Sequence, residues 1–433
     1  MNQASSLIDK YFIPWALVMP VTSVLVVPSI QGTTAGYLMC FLSLPLVLAY
    51  GGAGRVRYLS FVFTALVAWT IILLLSQLAD ATVSYEPNLG KVALVDFKDV
   101  ETFVMRGSMF TQSIYLAAVV LYVAYIQVFY KPSWDRWLLA SATLYAIYGM
   151  YELAYFAATG QPGDFVSNRT FGDLAGPGPD GTVSGSSFQT TDVGGYAMAR
   201  LKSLTGEPSM YSLSILPFWI YFSAKSKTRW PLWIIGASLI LTTSTTALIG
   251  YLCYLAIRVR KLGFNPMKAM IGLLALCVIG FFARHYISDF YELMVVDKLD
   301  GSSQSGTERS GLFWSSFEMW RSGSLANQLF GVGFGYIRST DLFSTLLVNT
   351  GVTGTLLVTV IMLYPAFKLD GNPEGTALRQ CCVAIWAMMM ISVPEFAYLA
   401  PWTFIAIAYS RLYHLRQAAR QQLWMPSGSR PRP

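Results

Sequence analysis

Apolar and polar positions along this chain fall into long blocks, without the alternation of two that a half-buried strand would show. Apolar segments occupy about 12–29, 35–50, 58–79, 109–130, 137–158, 209–223, 231–243, 244–257, 267–284, 342–365, 379–392 and 397–411. Most approach the ~20 residues that a helix needs to cross a bilayer. The pattern predicts an all-α polytopic membrane protein of about 12 transmembrane helices. Charge decides whether 231–257 is one span or two. Lys225, Lys227 and Arg229 precede it, and Arg258, Arg260, Lys261 and Lys268 follow it. Both clusters belong inside under the positive-inside rule, so the chain crosses an even number of times between them. Two short helices therefore meet at Thr242–Thr246, where hydroxyls can satisfy the freed backbone. The stretch 379–411 is read the same way, with Pro394 and Glu395 at its outer bend.

Composition then fixes the class. The 433 residues are 54% hydrophobic and 12% charged, about half the ~25% charged content of soluble domains. Mean hydropathy is +0.49. A soluble enzyme, a disordered scaffold and a secreted disulfide domain are excluded. The net charge of +7 would suggest nucleic acid in a soluble chain. Here it reflects Lys and Arg collected on the cytoplasmic side, and no nucleic-acid partner is expected. Cys40, Cys253, Cys277, Cys381 and Cys382 all fall in apolar segments, so no disulfide framework is implied. The run from Tyr11 to Val27 lacks a basic leader and a cleavage site, and reads as a retained first helix.

These assignments give one transmembrane domain over 1–415, both termini cytoplasmic, and a basic, Pro-rich cytoplasmic tail over 416–433. Three long loops face outward, at about 80–108, 159–208 and 285–341, the last two being the large periplasmic ones. Loops of that length are functional or disordered. The Gly-, Ser-, Thr- and Asp-rich stretch Gly172–Gly195 suggests a lid over a polar ligand. The internal repeat of many transporters is missing; cytoplasmic loops too short for a nucleotide-binding domain and the lack of a GxxxxGK[ST] phosphate loop exclude ATP-driven transport by this chain alone. The two histidines, His285 and His414, lack metal-ligand spacing, and Asp297 with Asp300 reads as solvated loop. Neither metal nor cofactor is expected.

Candidate chemistry sits at the outer boundary. One segment runs from Met198 through Arg200, Lys202, Gly206 and Glu207 to Pro208 and Ser209, straight into an apolar helix. Pro208 and Ser209 suit a helix start, with Glu207 favourable at its positive end. A second runs through Glu308, Arg309, Trp314, Arg321 and Phe330–Gly335 to Arg338 and Asp341. Arginine carries a permanent, planar charge that grips phosphate oxygens in pairs. Arg200 and Arg309, then Arg338 and Arg321, are candidates for holding a lipid-linked pyrophosphate. The competing reading is interfacial snorkelling.

At this point the chain resembles a family. Arg200 with Gly206–Ser209 looks like the "R…G…EPs" stretch of bacterial exopolysaccharide and O-antigen polymerases of the Wzy type. Thr242–Thr246 is similar to the "lSrs" helix break of the wider polymerase and O-antigen-ligase superfamily. Glu308, Arg309 and Trp314, followed by Phe330–Gly335, resemble its "R…W…GvGfG" stretch, and Leu347–Gly354 resembles the "e.G..G" helix that follows. The likeness covers about 190–360 in order. It implies an inner-membrane, metal-independent glycosyltransferase that joins undecaprenyl-pyrophosphate-linked oligosaccharide repeats on the periplasmic face, working with a flippase and a chain-length regulator. Candidate general bases are Glu207, Asp341 and Glu308, in that order. Ligases of the superfamily carry His-Asn before the last helix, where this chain has Thr340-Asp341. That departure weighs against ligation to another acceptor. Lipid-linked sugar flipping is a further alternative, for which repeat symmetry and mid-membrane charge would be expected.

Overall fold

The computed structural model describes residues 3–30, 32–82, 92–96, 104–169, 189–193, 196–262 and 304–424. Thirteen α-helices occur among them: α1 (Gln3–Val18), α2 (Ala35–Tyr50), α3 (Gly54–Thr82), α4 (Gly107–Phe129), α5 (Asp135–Thr159), α6 (Pro208–Lys225), α7 (Trp230–Leu241), α8 (Thr245–Leu262), α9 (Gln304–Ser322), α10 (Leu325–Phe330), α11 (Leu342–Lys368), α12 (Pro373–Ile391) and α13 (Leu399–Trp424). The one sheet among the described residues is a hairpin, β1 (Thr190–Val193) with β2 (Tyr196–Ala199). Among the described residues, three helices are long and apolar enough to cross a bilayer: Gly54–Ala81, Gly107–Phe129 and Leu342–Lys368. The expected span 267–284, together with His285, Asp297 and Asp300, lies outside the described residues, as does most of the lid 172–195.

The pattern-based boundaries hold for most helices and fail at the first. α1 ends at Val18 instead of running to 29. Pro20 has no amide to donate, Val21 N turns back to Val18 O at 3.0 Å, and Thr22 and Ser23 donate their amides to the Leu204 carbonyl, both at 3.0 Å. The chain beyond Pro20 thus runs beside the 203–205 turn, with Leu25 buried and Val26 and Val27 exposed. The loop 285–341 contains α9 and α10, and α13 continues past 415 to Trp424. The break between α7 and α8 is at the expected hydroxyls, with Thr242, Thr243, Ser244 and Thr246 buried.

Ion pairs sort the bundle into two ends. Lys131 meets Asp9 at 2.6 Å, Lys225 meets Asp135 at 2.7 Å and Glu374 at 2.6 Å, and Arg411 meets Asp370 at 2.8 Å and Glu374 at 2.7 Å. These contacts tie α1, α5, α6, α12 and α13 at one end. Arg411 holds the Asp370 carboxyl below its usual range. The remaining pairs among the described residues join Lys202, before α6, to Asp164, after α5, and to Glu152 within α5, and Arg338, before α11, to Glu395 between α12 and α13.

Candidate functional site

The hairpin delivers Arg200 to the α7–α8 break. β1 and β2 pair with Thr190 opposite Ala199, and Arg200 extends the ladder by donating its amide to Gln189 O at 2.9 Å. Its Nη1 donates to Gln189 Oε1 at 2.7 Å, and its Nε to Thr243 Oγ1 at 3.0 Å. Carbonyls that α7 cannot satisfy at its end are taken up by the same strand: Nη2 donates to Thr243 O at 3.2 Å, and Leu201 N to Leu241 O at 3.1 Å. Thr243 holds φ +47°, a conformation that a β-branched residue adopts only when its surroundings enforce it. Arg309, near the start of α9, reaches the break from the other side. Its Nη1 donates to Ser392 Oγ at 3.4 Å, and Ser392 Oγ lies 2.6 Å from Thr246 Oγ1. Burial, then the Arg309 charge, lowers the Arg200 guanidinium from its ordinary value, and Glu207 opposes them.

From Arg200 the chain dips into the bundle. Leu201, Lys202, Ser203 and Thr205 are buried, and Leu201 sits where Gly149 of α5 leaves no room for a Cβ. A lysine cannot be buried there unpaired. Lys202 Nζ lies 2.5 Å from Asp164 Oδ2 and 3.3 Å from Glu152 Oε1. Burial acts to raise the Asp164 carboxyl, but Lys202 and the bonds from Ser167 outweigh it and hold it well below the usual range. Asn168 is bonded to both the amide and the carbonyl of Leu25, at 2.6 and 2.9 Å, which fixes the next residue, Arg169. Glu207 is the N-cap residue of α6, with Pro208 at its first turn. Its carboxylate does not cap the helix and accepts a bond from Ser209 Oγ at 3.3 Å.

The glycine-rich segment 331–335 docks backbone on backbone. α11 is kinked at Gly351, φ +63°. Just before the kink, the Val348 and Asn349 carbonyls accept from the Val332 and Gly333 amides, both at 2.9 Å. A Cβ at Gly331, φ +77°, would lie 2.3 Å from Thr350 N. Glycine is required there by both conformation and space. Asn349 then clamps Ile337, accepting its amide at 3.0 Å and donating to its carbonyl at 2.8 Å. Arg338 N donates to Ala93 O at 2.9 Å, so the loop carrying Arg338 is held on two sides.

Between these parts lies a cavity of about 520 Å³, within the roughly 300–1,000 Å³ of small-molecule sites. Its charged lining is Arg169, Arg338, Glu207 and Glu395, with Tyr37, Tyr115, Met210, Phe334 and Phe396 among the larger remaining side chains. Arg338 contacts Glu395 through Nη2. Half of the Arg338 side chain is exposed, on the cavity that it lines, whereas Glu395 is 11% exposed. Enclosure by protein lowers the Arg338 guanidinium; Tyr398 and Glu207 counter that, and Arg169 adds to it. Glu207 is thus within electrostatic reach of Arg200 and Arg338 alike.

Of the residues singled out by sequence, Glu207 and Arg338 share this cavity, and Arg200 and Arg309 bond at the α7–α8 break and at Ser392 beside it. Asp341 is buried as the N-cap of α11, accepting from Ser344 N and Ser344 Oγ, each at 2.7 Å. Burial raises its carboxyl, against those bonds. Arg321 is exposed in the last turn of α9 and does not line the cavity. Glu308 lies in the first turns of α9, and its side chain falls outside the described residues. Trp314 is exposed. Sequence reasoning missed Arg169 as a site residue, and Glu395 as well. The signal for Glu395 was present, since it is the only carboxylate after Glu374 and it sits in a bend between apolar helices. Comparison with protein-family models, curated proteins and solved structures finds no match to this chain.

Proposed function

We propose that this chain is a twelve-span protein of the bacterial inner membrane, both termini cytoplasmic. Its activity is to polymerise polyprenyl-pyrophosphate-linked oligosaccharide repeats at the periplasmic face. The observation that carries this reading is the cavity lined by Arg169, Arg338, Glu207 and Glu395, away from the ion-paired end of the bundle. Glu207 of that lining lies within electrostatic reach of Arg200, and Arg309 bonds Ser392, two residues before Pro394 of the lining. A growing glycan leaves its carrier when a hydroxyl of the incoming repeat attacks its anomeric carbon. The bond to pyrophosphate breaks, and its electron pair departs with the phosphate oxygen. Preorganised guanidinium groups in an enclosed site stabilise that developing charge. A carboxylate within hydrogen-bond reach accepts the hydroxyl proton. One direct displacement of this kind inverts the anomeric centre. A flippase supplies the repeats and a chain-length regulator limits the product.

The test is the glycan profile of a deletion strain complemented with wild type, Arg338→Ala, Arg169→Ala or Glu207→Gln. Wild type should restore long chains. The arginine variants should leave mainly single repeats, with polymer reduced at least about 100-fold, the loss typical of removing one preorganised charge donor. Normal-length polymer retained on its carrier in the deletion strain would instead identify a ligase. Repeats confined to the cytoplasmic side would identify a flippase.

A further inference from the structure

The Arg338–Glu395 contact joins groups in unequal settings. Arg338 is half-exposed, on the cavity, while Glu395 is 11% exposed. An arriving anion therefore meets the arginine first. The bend that carries Glu395, between α12 and α13, is held rigidly. Trp402 Nε1 donates to Phe396 O at 2.7 Å, and the Phe396 ring packs on Phe334 at 4.9 Å, which belongs to the docked glycine segment. The main chain that carries Glu395 therefore stays in place if the Arg338 guanidinium turns toward another partner.

We propose that Glu395 is both the latch of the empty site and the proton acceptor of the reaction. It holds Arg338 until a pyrophosphate takes that arginine, and it then accepts the proton of the attacking hydroxyl. This rests on the polymerase reading above. The exchange favours pyrophosphate because its oxygens carry more charge than one carboxylate and match the guanidinium fork in pairs. Arg169, lining the same cavity, adds a second positive charge to the arriving group. Once Arg338 turns away, an enclosed carboxylate has lost its counter-charge, which strengthens its hold on a proton. The base is thereby activated only when the leaving group is in place. In the step itself, the hydroxyl oxygen bonds to the anomeric carbon as its proton passes to Glu395, and the carbon–oxygen bond to pyrophosphate breaks.

The test uses the full-length chain in lipid nanodiscs, titrated with inorganic pyrophosphate, alongside the glycan profile of cells carrying the same variant. Glu395→Gln removes the internal competitor, so it should bind pyrophosphate about tenfold tighter while polymer falls by the roughly 10²–10⁴-fold expected for a lost general base. Tighter binding with normal polymer would overturn the role of Glu395 as proton acceptor. Unchanged or weaker binding would overturn the latch. Should Glu395→Gln fail to fold, Glu395→Asp, which draws the charge back by one methylene, must bind more tightly than wild type; equal or weaker binding overturns the latch as well. Arg338→Ala separates the two levels. If it leaves pyrophosphate affinity unchanged, the site does not hold pyrophosphate and the polymerase reading loses its basis, whatever Glu395 does.

Discussion

At the scale of single residues, the site is built from arginines and glutamates whose positions are fixed by backbone contacts more than by each other. Gly331 shows how little room that leaves. Its φ is +77° and an added Cβ would lie 2.3 Å from Thr350 N, so Gly331→Ala carries conformational strain of about 1–3 kcal/mol and also displaces the loop leading to Arg338. The expected result is a lower unfolding temperature for the purified protein, measured beside wild type, with weaker pyrophosphate binding. Unchanged stability would show that the glycine segment is not docked. Sequence made the glycines, Arg338 and Glu207 legible because they are grouped in short motifs. Arg169 and Glu395 belong to no motif. They reach the cavity through long-range contacts, Asn168 on Leu25 and Phe396 on Phe334, which no local pattern encodes. Asp341 carried the opposite ambiguity: its place before Ser344 served equally as a cap, and the cap is what the backbone uses.

At the scale of elements, the dipping segment 200–207 buries one lysine among its anchors. Lys202→Met would leave Asp164 and Glu152 buried without their counter-charge, and about 3–5 kcal/mol of stability should be lost. Thermal unfolding of the purified protein reads this directly. The pH dependence follows in sign from Asp164. Its carboxyl is held below its unfolded value of about 3.9. Its stabilising contribution is therefore complete above that value and is lost as pH falls toward the folded one. The advantage of wild type over Asp164→Asn should shrink as pH falls below about 4. An advantage that grew on acidification would contradict the pairing. The α7–α8 break was legible because two basic clusters demanded an even number of crossings and five consecutive hydroxyl residues offered the place. The end of α1 was not, because Val21–Val27 is as apolar as a span. Only the Leu204 carbonyl, which takes the Thr22 and Ser23 amides, shows that the chain has left the helix there.

At the scale of the whole molecule, the ion pairs divide the bundle. Asp9, Asp135, Asp370 and Glu374 pair with basic residues at one end, and the cavity lies among the connections at the other. Catalysis by the chain alone is the central claim. The most direct measurement reconstitutes the purified protein in proteoliposomes and supplies polyprenyl-pyrophosphate-linked repeats, with the products resolved by size. A polymerase yields a ladder of lengthening glycans that Arg338→Ala abolishes. Repeats that stay single in the presence of the wild-type protein, or a ladder that Arg338→Ala leaves intact, would contradict it.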